Sequence, residues 1–551
     1  VLQHYCSGKM KRNSRFHYIA ITSKGTINMK QKAAVNILGT RGLIPRQIGL
    51  ILSLGSFFLC MAAEALPGYV LLSPYYANRS YLISTTGDTA FTWKHQRANA
   101  YGSFLLDNGN LLRPTESTKQ GLSASAVPNG LIQEIDRNGN VVWEFEYKSD
   151  QYVLHHGIWL MPNGNILASA FEKKTKAELQ QAGITRNPPP PMFGGGRDES
   201  LLFEQLIEID PRKPKGQEIV WMWKIWDHLV SAGQAYDNPH LFSTDLESPS
   251  YQSFNDWMHL NGIAYNPDLD QIVFSSRVFS EVYIIDHSTT TEEAAGHTGG
   301  RYGKGGDILY RWGNTSNYKR SGGIQLKVLH SPSWVPNGYP GAGNIIFFHN
   351  NENSNNSQII EITPPLKQDG TYEMTNGIFG PEQPTWIYQA NGFYSQMMSS
   401  CQRLPNGNTF IFEASSGRMR EVDQNGTVLW QLGGSSTGPG FGFDNNLSAK
   451  AMKYEMNHPG IQKLLGIASK KQVAALKLKP VQILCSSGKI SISHAAGANA
   501  AIYSMHGKKL WSSPVHDNNF TISTDGFSAG TYIVSTVSKS GTFSRQISIH
   551  K

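Results

Sequence analysis

Between residues 66 and 432 the chain is a succession of short runs in which apolar and polar residues alternate. Examples are Asn165–Phe171 (NILASAF) and Gln271–Ser276 (QIVFSS). Alternation with period 2 over four to eight residues predicts half-buried strands. The runs are separated by turns of one kind: Asp107-Asn108-Gly109-Asn110, Pro162-Asn163-Gly164-Asn165, Pro267-Asp268-Leu269-Asp270, Pro336-Asn337-Gly338 and Pro405-Asn406-Gly407-Asn408. Asn-Gly between alternating runs is a hairpin signal. Each hairpin is followed by an acid–turn–Gly piece and a strand that ends near a tryptophan. These tryptophans are Trp93, Trp143, Trp223, Trp312, Trp386 and Trp430. Six strand-rich units with variable insertions predict an all-β protein, a six-bladed β-propeller over residues 66–465. A solenoid would need a tighter period, and a sandwich would not repeat.

The ends read differently. The apolar run 49–63 (GLILSLGSFFLCMAA) is too short for a comfortable membrane span. It follows Lys30, Lys32, Arg41 and Arg46 and precedes Ala63-Glu64-Ala65, so residues 1–65 are expected to be a signal peptide. Met29 is a candidate start within it, and a membrane anchor is the alternative. Residues 447–465 predict a helical closing segment broken at His458-Pro459-Gly460. A Lys-rich linker over 466–483 then leads to short strands over 484–551, a small C-terminal β-sandwich. The Gly- and Pro-rich insertions 186–197 and 296–307 read as surface loops. The second is no phosphate loop, because Lys304 is followed by Gly305 and no strand–helix context surrounds it. With Cys6 and Cys60 in the signal, Cys401 and Cys485 remain in separate regions, and no structural disulfide is expected.

Charge changes the picture once it is located. The 551-residue chain has a formal net charge of +8. Residues 1–65 hold nine Lys/Arg against one acid, and residues 466–551 hold ten against two. Of the 49 bases and 41 acids in the chain, residues 66–465 keep 30 and 38, a net of −8. An acidic body of this kind argues against a nucleic-acid groove.

The histidines acquire meaning from the repeat. Six residues before each turn proline, or its equivalent, stand Tyr101, His156, Asn261, His330 and Ser399. His259 shares a strand face with Asn261, two residues away. The return strand of that hairpin leads to Arg277, the sole Lys or Arg between 251 and 300. His259, Asn261 and Arg277 are therefore expected to converge at one mouth of the propeller, with His156, His330 and Ser399 on the same rim. Three imidazoles suit zinc or copper, but a guanidinium among them opposes a cation and suits an anion. No metal and no cofactor is expected there. Polar lining of a wet channel is the bland alternative.

The blocks 154–167 (LHHGIWLMPNGNIL), 256–277 (DWMHLNGIAYNPDLDQIVFSSR), 284–300, 306–314 and 404–430 resemble those of arylsulfate sulfotransferases, exported bacterial six-bladed propellers. The resemblance covers about residues 66–465. It implies transfer of a sulfuryl group from a phenolic sulfate ester to another phenol, through a sulfohistidine and without a nucleotide donor. By motif, His330 is the sulfuryl acceptor, His259 and Asn261 are the H-x-N pair, and Arg277 is the family's arginine. The double histidine His155-His156 supplies another group, and repeat phase favours His156. Where the family has a threonine, Ser395 and Ser399 are the nearest hydroxyls. Tyr101, Trp257 and Trp334 are candidates to grip a phenyl ring, whereas Arg311 reads as structural. The strands after residue 484 resemble the C-terminal sorting domain of type IX secretion substrates, which implies export to the periplasm, cell surface or medium. The expected partners are small aryl sulfates and phenols and the type IX machinery, with no nucleic acid; a homodimer is left open. The rival readings are an aryl sulfate hydrolase on the same site and a non-catalytic propeller that binds anions or partners.

Overall fold

The computed structural model describes residues 64–122, 130–184, 200–231, 234, 238–244, 256–352, 354–434, 448–466, 482–486, 488–493, 498–505, 508–515, 519–538 and 541–550. The signal expected over 1–65 lies outside them up to residue 63, as do the loop 186–197 and most of the linker. Among the described residues no helix is long and apolar enough to cross a membrane.

Six four-stranded antiparallel sheets carry the body of the chain. Five are meanders in chain order, and in all six the outer strand bears one of the periodic tryptophans: Thr89–Lys94, Val141–Glu146, Ile219–Lys224, Ile308–Gly313, Trp386–Tyr388 and Val428–Leu432. Every neighbouring pair of sheets shares an apolar core. Sheets 2 and 3 enclose Leu112, Ile158 and Ile207. Sheets 3 and 4 enclose Trp223, Phe274 and Tyr283, sheets 4 and 5 enclose Val282, Trp312 and Phe347, and sheets 5 and 6 enclose Phe348 and Ile411. Sheet 6 packs on sheet 1 through Val70, Phe410 and Phe412, and sheet 1 on sheet 2 through Trp93, Leu105 and Ile135. One-sided strands can bury their apolar rows only against the next sheet, and this arrangement does so for all six.

The segment 447–465 corrects the expectation. In place of a broken helix, Ala451–Glu455 is a strand that pairs antiparallel with Gly68–Leu72 and completes the first sheet. Helix begins only at Pro459 and runs to Leu465, and His458 caps it by accepting the amide of Gly460 at 3.1 Å. Pairing with a strand almost 400 residues away overrides the local helix propensity of AMKYE.

C-terminal to the propeller-like body, a three-stranded and a four-stranded sheet share a core of Ile483, Ile490, Ile492, Ile502, Val534 and Ile547. This is the small β-sandwich expected from the sequence. Arg311 is structural, as read: its guanidinium pairs with Glu281 at 2.5 Å, both side chains fully buried, and lies over the Tyr318 ring.

One polar cluster joins sheets 3 and 4. His287 contacts Asp270 at 2.8 Å and Glu208 at 3.1 Å. Burial opposes its charge, but the two carboxylates outweigh that and lift its pKa to about 9. A folded-state pKa above the unfolded value near 6.5 stabilises fully below that value, and the benefit is lost as pH rises through about 9. Thermal melts between about pH 7 and 10 should show an alkaline loss on the order of 3 kcal/mol that is flattened in His287→Gln. Equal alkaline slopes in the two proteins would contradict this.

Candidate active site

The inner strands of sheets 3, 4 and 5 break register at matching places: between Leu154 and Ile158, Leu260 and Gly262, and His330 and Ser333. Left-handed backbone clusters there at non-glycine residues: His156, His259, Val328, Ser331, Met398 and Ser399 all have φ between 47° and 84°. Such bulges cost conformational energy and re-aim side chains, and they concentrate beside functional sites.

They bring together the histidines that repeat phase selected. The His156 ring meets the His259 ring edge-on at 4.7 Å and Tyr101 at 5.5 Å. The backbone N–H of Arg277 donates to the His259 carbonyl at 3.0 Å, so the return strand delivers the guanidinium to the same end. Arg277 acts electrostatically on both His156 and His330, and Glu352 lies 3.7 Å from it. Burial lowers the pKa of Arg277 from its usual value, with Glu352 opposing. His155, His156, His259 and His330 are only 2–8% exposed. Charges here are shielded from water and act strongly.

Hydrogen bonds fix what each ring can do. The Asn350 side-chain N–H groups donate to the carbonyls of Ser395 and Met398 at 2.8 and 3.1 Å. Its Oδ1 is therefore the acceptor facing His330 Nδ1 at 2.6 Å. That makes Nδ1 the protonated nitrogen and leaves the lone pair on Nε2. Burial, then Arg277 and His259, lower the His330 pKa to about 3 despite the bond to Asn350. His259 is the opposite case. Burial lowers its pKa, but Asp256, 2.6 Å from Nδ1, together with Glu204 outweighs burial and raises it. His156 is pushed well down by burial and by its cationic neighbours. One neutral imidazole and one favouring the cation, side by side, is the pattern of divided acid and base roles.

The remaining sequence-selected residues are placed as follows. His155 turns inward: it stacks on Phe171 at 3.6 Å, bonds Glu204 at 2.7 Å through Nε2, and meets His156 Nδ1 at 2.7 Å through Nδ1. Asn261 donates one N–H to the Leu329 carbonyl and accepts from Ser275, which leaves one amide proton for a ligand. Tyr101 donates to the Asn261 carbonyl at 3.1 Å. Ser399 and Ser395 are fully buried and bond to each other at 2.8 Å, behind the Asn350 contact. Two aromatic expectations are corrected. Trp257 packs against Phe203, Phe242 and Phe279 in the core between sheets 3 and 4, and Trp334 lies in the core between sheets 4 and 5. Even spacing would put both rings on the histidine face; the register break between His330 and Ser333, and the position of Trp257 before the strand Leu260–Asn266, send them into the cores instead.

Sequence reading missed Asp256, Glu204 and Asn350. Asn350 had a usable signal, since it follows its return strand Ile345–His349 just as Arg277 follows Gln271–Ser276. Asp256 stands one helical turn's spacing before His259, and Glu204 sits within a wholly buried strand, Leu201–Ile209.

The chain resembles, at 12% identity and a TM-score of 0.39, a protein of unknown function from Bacteroides caccae, over 70% of this chain and 98% of that one. It resembles a putative 6-phosphogluconolactonase from Bacteroides fragilis at 11% identity and TM-score 0.35, over 71% and 98%. The β-propeller domain of Cps50 (Swd1) from Myceliophteria thermophila gives 11% identity and TM-score 0.32, over 68% and 88%. No curated protein matches the chain. Residues 486–550 match a secretion-system C-terminal sorting domain, which marks an exported protein handled by type IX secretion. Residues 104–435 match the arylsulfotransferase (ASST) family.

Proposed function

The chain belongs to the arylsulfotransferase family, and from that premise we propose that it moves a sulfuryl group between phenols through a covalent histidine. The observation that carries the reading is the state of His330: Nδ1 is committed to Asn350, and Nε2 stays unprotonated at neutral pH. An aryl sulfate binds with its sulfate oxygens held by Arg277 and the spare Asn261 N–H, in part by charge-assisted hydrogen bonds, and with its aryl oxygen towards Nε2–H of His259. The lone pair on Nε2 of His330 attacks sulfur. As the N–S bond forms, the S–O(aryl) bond breaks and its electrons pass to the phenolate oxygen. His259, kept protonated by Asp256, gives that oxygen a proton. The phenol leaves and an acceptor phenol takes its place. Now neutral, His259 removes the acceptor's proton; the acceptor oxygen attacks sulfur, the N–S bond breaks, and His330 is regenerated. His156, held neutral, lines the reacting centre and keeps a third positive charge out of it.

Turnover of nitrophenyl sulfate with and without added phenol tests the reaction class. Transfer predicts that nitrophenol release depends on phenol after a first burst and that aryl sulfate is the second product. Undiminished release in water alone would show hydrolysis, and no release at all would show a non-catalytic propeller.

A further inference from the structure

A second histidine cluster lies apart from this site, where the outer strands of sheets 3 and 4 meet. His228 follows Ile219–Lys224, the outer strand of sheet 3. His297 and Asp307 are the two ends of the Gly-rich loop between Glu281–Asp286 and Ile308–Gly313. One ligand atom from each lies within 4.8 Å of the others, the arrangement among the described residues suited to a metal ion.

The hydrogen bonds sharpen this. His228 is fully buried, and its Nε2 lies 2.9 Å from the Ala294 carbonyl, which can only accept. Nε2 therefore carries the proton, and in a neutral ring the Nδ1 lone pair points at Asp307 Oδ1, 2.8 Å away. His297 presents its Nδ1 to the same oxygen at 2.8 Å. Two imidazole nitrogens thus converge on one carboxylate oxygen that supplies no proton. With the Nδ1 of His297 also unprotonated, a cation between them is held by all three atoms. The bond from Nε2–H to a backbone carbonyl is also how metal-binding histidines are commonly oriented.

The loop is built to hold this geometry. Gly306 N–H donates to the Gly296 carbonyl at 3.0 Å and Gly305 N–H to the Gly299 carbonyl at 3.1 Å, which brings His297 and Asp307 together. Trp223 stacks parallel on His228 and donates its indole N–H to the Gly306 carbonyl at 2.7 Å. A Cβ on Gly306 would lie 2.0 Å from the Ala294 carbonyl oxygen and 2.6 Å from His228 Nε2, so only glycine fits there. A loop this rich in glycine has a high entropy cost of ordering. Closing it with a metal offsets part of that cost.

We propose that His228, His297 and Asp307 bind one divalent zinc-class cation that clips the 296–307 loop to the outer strand of sheet 3. Two imidazoles and one carboxylate suit zinc, with water in the fourth position on the solvent side beside His297. Metal–ligand bonds of about 2.0–2.2 Å set tetrahedral ligand atoms about 3.3 Å apart, so loading opens the cluster by about half an ångström. His297, more than half exposed, can make that movement.

The test uses the full exported chain, stripped with a chelator and titrated with Zn2+ by calorimetry while Tm is followed. Wild type should take up one ion per chain and gain in Tm as zinc exceeds its Kd. Co2+ in place of zinc should give the visible absorption of tetrahedral cobalt. His297→Ala, at an exposed position, should bind at least about tenfold more weakly, lose the cobalt band, and match the wild-type Tm without metal. His330→Ala should keep both binding and the Tm gain. The proposal fails if wild type takes up no stoichiometric ion, or if His297→Ala binds like wild type. Loss of binding in His330→Ala would put the ion at the propeller mouth and also overturn it. An equal fall in Tm with and without zinc in His297→Ala would mean a plain ion pair. None of these outcomes depends on sulfuryl transfer.

Discussion

His330→Ala is expected to lose aryl sulfate turnover by roughly ten-thousand-fold or more, because the step that splits one difficult displacement into two depends on its Nε2. The folded state should be little changed, since the ring makes a single side-chain hydrogen bond, to Asn350. A companion variant separates nucleophile from scaffold. Asn350→Leu removes the acceptor that holds the proton on Nδ1, so the ring can place its proton on the attacking nitrogen. Here kcat should fall about ten- to a hundredfold with KM little changed, the sign of a positioning residue. Steady-state kinetics with nitrophenyl sulfate and a phenol acceptor measure both. Near-normal kcat in His330→Ala would remove the histidine from the mechanism.

The second large effect concerns the leaving group. Phenols with a pKa near 10 are poor leaving groups and need the proton from His259, whereas nitrophenolate needs it far less. His259→Gln should therefore slow phenyl sulfate by about 10²–10⁴-fold and nitrophenyl sulfate by much less. Asp256→Asn acts on the same proton. The folded-state pKa of His259 is raised chiefly because Asp256 overcomes burial. The acid form is therefore favoured to higher pH than in a free imidazole and is lost as pH rises through the raised value. Removing the carboxylate lowers that pKa, so the alkaline limb of kcat should move to lower pH. His330, with a pKa of about 3, should set no limb near neutrality. An unchanged alkaline limb in Asp256→Asn, or equal losses on both leaving groups in His259→Gln, would contradict the acid–base role.

Much of the fold was legible because its signals are local. Asn-Gly turns open four of the six sheets, and an outer-strand tryptophan marks all six in chain order. The closing strand Ala451–Glu455 was not legible, because its partner Gly68–Leu72 lies at the other end of the body and its own residues favour helix. The site divides the same way. Period-2 alternation and repeat phase led to His156, His259, Asn261, His330 and Arg277, whose backbone positions are set by matching bulges. Their chemical states were hidden in non-local hydrogen bonds: Asn350 to His330, Asp256 to His259, and Glu204 to His155. Trp257 and Trp334 show the limit of nearness in sequence. They stand within a few residues of His259 and His330, yet their side chains fill the cores behind them.

The central claim is the covalent sulfohistidine. Peptide mass spectrometry after incubation with an aryl sulfate alone, and again after adding phenol, tests it most directly. The account predicts an adduct with the mass of one SO3 group on the peptide carrying His330, formed with donor alone and discharged by phenol. No adduct within the time of turnover, or an adduct on His156 or His259 in place of His330, would contradict it.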